Sequence, residues 1–353
     1  MSTDSGVKTS LRATERDIED IERSYWKRQG RAMARDWRLY AMLVPLMFFL
    51  ICWKYLPIGS LVMSFKNYTS ADGGNVWHAT NVGLRWFIDL LAGNRAADFW
   101  KAFRNTFVLS LYGLCFAFPV PIILALLFSE IKITWYRATV QVLTYLPHFI
   151  STVVVSTILV MLLSPGSYAP DGSVIAGAGP LTRMFIAFGW RDRNAHEIIT
   201  DPTCFRAVYQ LSGIWSDSGY GSIVYFAAVL GISPTNYEAA RIDGASKMQQ
   251  VRYVTIPGMV STLVIMLILR VGSLFNIGYE KIILLNPRSS RDVFETAQTI
   301  STYVYYSGSM AASGAAMPDS EAAAADMFNS LLSMILVIGS NKISKRVSDT
   351  SLY

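Results

Sequence analysis

The sequence predicts an all-α membrane protein of six transmembrane helices with both termini in the cytoplasm, and three observations predict it. Charge is scarce: 16% of the 353 residues are charged and 52% are hydrophobic, whereas a soluble domain carries about 25% charged residues. Apolar stretches recur at the length a bilayer demands, roughly 20 residues each. Basic residues cluster on one side of those stretches, the bias that fixes orientation in membranes.

The elements follow in order. Residues 1–38 are polar and mixed in charge, and no apolar core follows the initiator, so they do not read as a cleavable signal. Within them ERDIEDIERSYWKRQGRAMARDWR reads as an amphipathic surface helix, with Trp26 and Trp37 near the headgroups, or equally as a flexible tail. The first span covers residues 39–63, with Lys54 near its far end where the charge can snorkel. The second and third cover 103–128 and 138–163. The fourth, 210–230, is weaker because it holds Asp217 and several glycines. The fifth and sixth cover 260–277 and 323–339. Pro45, Pro119, Pro121 and Pro147 lie inside spans, where kinks are tolerated when neighbours satisfy the freed carbonyls.

With the N-terminus inside, segments 1–38, 129–137, 231–258 and 341–353 are cytoplasmic, and 66–102, 164–208 and 280–326 are outside. Lys and Arg are roughly twice as dense in the first set. The outer loops run to roughly 40 residues, long for connections, and are expected to pack on one another or to dock a partner. Residues 307–325 read as a flexible, Ala-rich loop entering the last helix.

Several chemistries are disfavoured. The basic residues flank spans and do not form one stripe, so nucleic acid is a poor partner. Cys52, Cys115 and Cys204 lack metal-ligand spacing and read as small buried apolar residues. His78, His148 and His196 are scattered, so no metal, cofactor or catalytic residue is assigned. No G-x-x-x-x-G-K-[ST] segment is present, so the chain is not expected to bind ATP through a P-loop or to act as an enzyme.

Residues 236–259, NYEAARIDGASKMQQVRYVTIPGM, are unusual for a loop between spans. Ser233 and Pro234 make a helix start, with Pro at the first helical position. Glu238 falls early in that helix, where the dipole favours an anion. Gly244 supplies a left-handed end. A second short helix leads to Pro257 and the next span. Ala239, Ala240 and Ala245 keep the surface low, and Glu238, Arg241, Asp243 and Arg252 offer charges. On these grounds an ordinary amphipathic connector and a docking element remain equally open.

The spacing Glu238-Ala239-Ala240, three residues, Gly244, nine residues, Val254-Thr255-Ile256-Pro257 resembles the EAA loop of binding-protein-dependent ABC importer permeases. The stretches KYLPIGSLVMSFKNY (54–68), NTFVLSLYGLCFAFPVPIILALLFSEI (105–131), YLPHFIS (145–151) and YEKIILLNP (279–287) look like the LplB-type branch of carbohydrate permeases. That branch is similar to the MalF side of the maltose system and has the MetI-like fold. The resemblance covers roughly residues 38–345. It implies a permease domain at 39–345 with a coupling loop at 233–258, flanked by tails 1–38 and 346–353. It implies a bacterial plasma (inner) membrane, a second permease subunit as heterodimer partner, two ABC ATPase subunits inside and a solute-binding lipoprotein outside. The implied cargo is an oligosaccharide. Peptides, a phosphate-bearing metabolite, or a role as scaffold or channel are the alternatives.

The resemblance further implies that Glu238 anchors the ATPase, Gly244 sets the turn, and Ala239, Ala240, Asp243, Ala245, Ile256 and Pro257 complete the coupling element. Candidate sugar-path residues, chosen as mid-membrane aromatics and amides, are Tyr112, Tyr145, Trp215, Tyr225, Asn276 and Tyr279. The chain departs from the family pattern at Asp326 and Asn329, and carries Asp217 and Arg270 inside spans. Charges there are costly and face a cavity or a partner.

Overall fold

The computed structural model describes residues 29, 33–68, 75–164, 167–168, 174–176, 178–189, 198–199, 201–286, 291–309 and 319–347. Most of the amphipathic N-terminal stretch, including Trp26, as well as His196 and residues 310–318 and 348–353, lie outside the described residues. The chain divides into two compact units, Met1–Val62 and Met63–Tyr353. The first unit contains α1 (Trp37–Leu50), which continues through a π turn at Ile51–Tyr55 into a tighter stretch, Leu56–Phe65. The resulting 29-residue rod, Trp37–Phe65, has no buried residue in its apolar window. A helix that is apolar all round belongs in lipid or against another subunit.

The second unit starts from a short antiparallel pair, β1 (Lys66–Asn67) with β2 (Thr80–Asn81), followed by α2 (Arg85–Ala92). Next, α3 (Ala96–Tyr112) and α4 (Pro119–Glu130) form one 35-residue helix around a π turn at Gly113–Ala117. Pro119 has no N–H, and its ring would strike the carbonyl of Cys115 in a regular α-helix. The wider turn avoids this, and the Phe118 N–H reaches back five residues to the Gly113 carbonyl at 2.9 Å. Cys115 is exposed on that turn and is not the buried residue the sequence suggests. The turn points it outward, and an apolar surface in lipid tolerates a thiol there.

The expected third span is two half-length helices, α5 (Thr134–Tyr145) and α6 (Thr152–Leu162), which meet at 96°. The cause is the Leu146–Phe149 break, where Pro147 withholds a donor, and Ser151, whose hydroxyl accepts from the Val154 N–H and restarts the helix. A second pair, β3 (Ser167–Tyr168) with β4 (Val174–Ala176), and α7 (Pro180–Ala187) follow.

The fourth expected span is α8 (Pro202–Leu230), 29 residues that begin eight positions before residue 210. Asp201 caps it, accepting from the Thr203 N–H at 2.8 Å. α8 packs on α4 and against α5, where Gly219 meets the Thr144 carbonyl with no room for a Cβ. Two short helices, α9 (Pro234–Ile242) and α10 (Lys247–Gln250), lead through a π turn at Val251–Thr255 and a turn at Ile256–Gly258 into α11 (Val260–Gly272). The chain then folds as α12 (Tyr279–Leu285), α13 (Arg291–Ala297) and α14 (Ile300–Ser309), and α15 (Asp319–Val347) closes the described chain.

Among the described residues, three helices can cross a membrane by length and composition: Trp37–Phe65, Ala96–Glu130 and Asp319–Lys345. There are five if each bent pair counts as one, the second pair being Lys247–Gly258 with Val260–Gly272 at 66°. α8 is long enough but too polar to join them on composition.

The segments 66–102, 164–208 and 280–326, expected to lie outside, pack on one another where they are described. Leu90, Phe99, Ala102, Tyr303 and Ala325 form one buried cluster, and Phe205, Ile282, Leu285, Val293 and Ala297 form another. Residues 319–325, expected as loop, are helical, and Ala322, Ala324 and Ala325 are buried. Their small side chains let α15 approach α14 closely, so the composition reflects packing at that point.

Candidate functional site

The first candidate is the turn between α8 and α11. Pro234 opens α9, but the Ser233 hydroxyl pairs with the Thr235 hydroxyl at 2.7 Å and caps no backbone group. Glu238 is the fifth residue of α9, beyond the first turn where the dipole is felt, and it faces outward. Gly244 has φ +75°, with open space around it. Its N–H bonds the Arg241 carbonyl at 3.1 Å, and the Ala245 N–H bonds the Ala240 carbonyl at 2.9 Å. This pair is the Schellman closure, which only a residue tolerant of the left-handed region completes without strain.

The second half is fixed as closely. The Ser246 hydroxyl accepts from the Gln249 N–H, and the Gln249 side chain accepts from the Ser246 N–H at 2.7 Å. Buried Gln250 donates to the Ala245 carbonyl at 2.9 Å. The Tyr237 hydroxyl meets that of Thr255 at 3.1 Å, and Lys247 pairs with Glu130 at the end of α4 at 2.7 Å. Above this scaffold stand apolar side chains that a free loop would hide. Ile242 is 87% exposed and Met248 75%. Ala239 and Asp243 are exposed and Ala240 and Ala245 half-buried, which leaves a low surface beside those two knobs; Ile256 and Pro257 are exposed just before the bend into α11. The sequence reading stressed the charges of this element and missed the knobs. Two large apolar residues at polar positions of an amphipathic pattern were the available signal.

The second candidate is one face of α8, where Arg206, Gln210, Gly213, Asp217 and Tyr220 follow at helical spacing. Arg206 Nη2 donates to Asn105 Oδ1 at 3.0 Å, and Asn105 Nδ2 donates to the carbonyls of Glu295 and Gln298. Gln210 donates to the Leu109 carbonyl at 2.6 Å. Asp217 Oδ1 lies 3.2 Å from His148 Nδ1, and the His148 ring stacks on Tyr220 at 4.1 Å. Lys281 donates to the Tyr209 carbonyl at 3.3 Å. Burial pushes its ammonium down to about 8, and the Asp217 charge acts the other way.

Two cavities flank this face. The larger, 700 Å³, is lined by Tyr112, Phe116, Thr203, Arg206, Gln210 and Thr296 among others. The smaller, 160 Å³, includes Ser110, Gly113, Gln210, Arg270, Ser273 and Asn276. Of the sequence-chosen path residues, Tyr112 and Asn276 therefore come to neighbouring cavities that share Gln210. Trp215 lines a separate apolar cavity of 390 Å³ with Leu159, Leu163 and Phe185. Tyr225 is 3% exposed, packed with Ala125, Val229 and Met259. Tyr145 packs edge to face on Phe128, and Tyr279 stacks on Tyr305 at 4.6 Å. Asn329 Nδ2 donates to the Phe275 carbonyl at 3.1 Å, and its buried Oδ1 has no hydrogen-bond partner among the described residues. Among the described residues no cluster of His, Cys, Asp and Glu could hold a metal.

No protein-family model matches the chain. It is similar to Protein LplB of Bacillus subtilis, 32% identical over 322 residues that cover 91% of this chain and 93% of that protein. It is equally similar to the polygalacturonan/rhamnogalacturonan transport system permease protein YteP of the same organism, 32% identical over 317 residues, 89% of this chain and 90% of that one. Among solved structures, it resembles a chain of a bacterial alginate ABC transporter crystallised in complex with an alginate pentasaccharide-bound periplasmic protein. There the TM-score is 0.76 and the identity 35%, over 91% of this chain and 99% of that one.

Proposed function

The chain belongs to the LplB-type family of carbohydrate ABC-transporter permeases, and from that membership we propose that it forms half of the translocation path of an ATP-driven, binding-protein-dependent oligosaccharide importer. It is a multi-pass transport subunit of the bacterial plasma membrane. The path is completed by a second permease subunit. Two ATPase subunits drive it from the cytoplasm, and a binding protein delivers cargo from outside. The chain crosses six times, with both ends inside. α8 and the bent pairs supply the crossings that composition alone leaves out.

The observation that carries this reading is the turn at α9 and α10. Force passes through a stiff element and is lost in a slack one. Here the Schellman closure, the capping box, the Tyr237–Thr255 contact and the Lys247–Glu130 pair hold a short helix to the ends of α4, α8 and α11. Ile242 and Met248 enter a groove of the ATPase, and Glu238 meets a basic residue at its edge. The alanines let the two backbones approach. Closure of the ATPase dimer then rocks the spans.

Glu238→Lys reverses the anchor charge. Gly244→Val forces a β-branched residue into the left-handed region, which costs about 1–2 kcal/mol locally. Each variant should reach the membrane, lose co-purifying ATPase and import labelled oligosaccharide at least tenfold more slowly, the size of about 1.4 kcal/mol of lost coupling. Wild-type uptake and co-purification in both variants would sink the reading.

A further inference from the structure

Cations stand along the middle of the second unit with no carboxylate to answer them. Arg206 gives one Nη2 hydrogen bond to neutral Asn105, and its buried Nε has no hydrogen-bond partner. Arg270 lines the smaller cavity and makes no ion pair among the described residues. The carboxylate on the same face of α8, Asp217, already faces His148 at 3.2 Å. Neither cavity is lined by Asp or Glu. A guanidinium inside a span, as expected for Arg270, is costly unless a counter-charge or a hydrated passage meets it, and the buried unpaired Nε of Arg206 is costly in any setting. Both arginines border open volume, so the missing charge is one that comes and goes.

The lining is built for a ligand with both polar and apolar faces. Gln210 walls both cavities and is held by the Leu109 carbonyl, so the two arginines flank one fixed amide. Gly113 sits where the π turn widens the helix. A Cβ there would come within 2.9 Å of Arg270 Nη2 and 3.7 Å of Gln210 Oε1, so the bare backbone makes the room the guanidinium uses. The larger cavity adds two aromatic surfaces, Tyr112 and Phe116, set edge to face at 6.0 Å. Its 700 Å³ lies within the roughly 300–1,000 Å³ typical of small-molecule sites. An aromatic wall takes the apolar face of a sugar ring, and a guanidinium fork matches a carboxylate in two parallel hydrogen bonds.

We propose that this paired cleft is a cargo subsite for uronate units: the transported oligosaccharide carries carboxylates, which Arg206 and Arg270 bind in succession while Tyr112 carries the ring. The proposal rests on the importer reading and deepens it by assigning the chemical class of cargo. Alginate and polygalacturonan, the polymers named for two similar transporters, are both built of uronic acids.

The test uses the complete importer with its partner permease, ATPases and binding protein in proteoliposomes. Uptake is compared for tri-galacturonate and tri-mannuronate, their carboxyl-reduced counterparts, maltotriose and glucose 6-phosphate. The expected result is import of a uronate trimer, cut about tenfold by Arg206→Gln and by Arg270→Gln, the scale of one lost charge-assisted hydrogen bond. Assembly, read by co-purification of all subunits, stays unchanged. Gly113→Ala keeps both charges and should produce a similar loss by displacing the Arg270 side chain.

Wild-type uronate uptake in all three variants overturns the proposal. So does failure of the arginine variants to assemble, which would make the arginines partners of the second permease. Preference for glucose 6-phosphate assigns the cleft to phosphate and overturns it equally. Import of the neutral sugars alone overturns the subsite and leaves the importer reading standing. Import of none of the sugars by an assembled, ATP-hydrolysing complex overturns the importer reading itself.

Discussion

The α9–α10 turn and the polar face of α8 are chain neighbours built from opposite materials. In the turn most of the fixing bonds are local, Ala245 to Ala240, Gln249 to Ser246 and Gln250 to Ala245, with the solvated Lys247–Glu130 pair as a distant tie. On α8 they come from far along the chain: Arg206 to Asn105, Gln210 to Leu109, Asp217 to His148. A locally bonded element keeps its shape when its surroundings move. A face defined by other helices changes its shape whenever they do. The first property suits a lever and the second suits the lining of a passage that must alternately hold and release.

Three changes sharpen this contrast. The largest effect is expected from Gly219→Leu, which drives a side chain into the Thr144 carbonyl where α8 meets α5. Overpacking of this kind costs about 1–3 kcal/mol, and more where backbone must move. Thermal unfolding of the purified importer should drop by several degrees, and uptake should fall with it. An unchanged transition would mean that the α8 contacts do not hold the bundle.

Lys281 gives a smaller effect with a pH signature. Its ammonium titrates near 8 when folded, against an ordinary value of 10.5. The unfolded chain therefore binds more protons between those values, and stability rises with pH across that window. Below about pH 8 the full penalty of burying the charge is present. Lys281→Met should raise the melting temperature at neutral pH, by up to about 2 kcal/mol in stability, and flatten the rise between about pH 8 and 10.5. A pH–stability curve identical to wild type would refute this origin.

The smallest effect belongs to the pin between α4 and α10. Lys247 and Glu130 are both largely solvated, so their bond is worth about 0.5 kcal/mol. Lys247→Glu should barely move the melting temperature and yet slow uptake severalfold, because the turn is no longer tied to α4. The exchange Glu130→Lys with Lys247→Glu should restore it. A double variant as slow as the single one would assign the defect to the ATPase contact.

The same division explains what could be read from the chain. The glycine turn was legible because its code is local: the helix end needs a positive φ at position 244, and Gly244 has one. The helical class and the membrane setting follow from composition. The break at Leu146–Phe149 was marked by Pro147, but its 96° bend was not, because a proline fixes where a helix stops and not the angle at which the next one starts. α8 begins earlier than hydropathy suggests because Arg206 and Gln210 mask a helix whose polar groups are answered by distant partners. The pairing of His148 with Asp217, 69 residues apart, and the burial of Tyr225 beneath Met259 are products of tertiary packing.

The π turn at Gly113–Ala117 has one more consequence. An added residue advances a helix by roughly 100° of rotation, so the segment bearing Glu130 is out of phase with the segment bearing Tyr112. Lys247 holds the Glu130 end of this helix, and the π turn lies between that end and the Tyr112 wall. One continuous rod can thus be tied to α10 at one end and still present an independently indexed wall farther along.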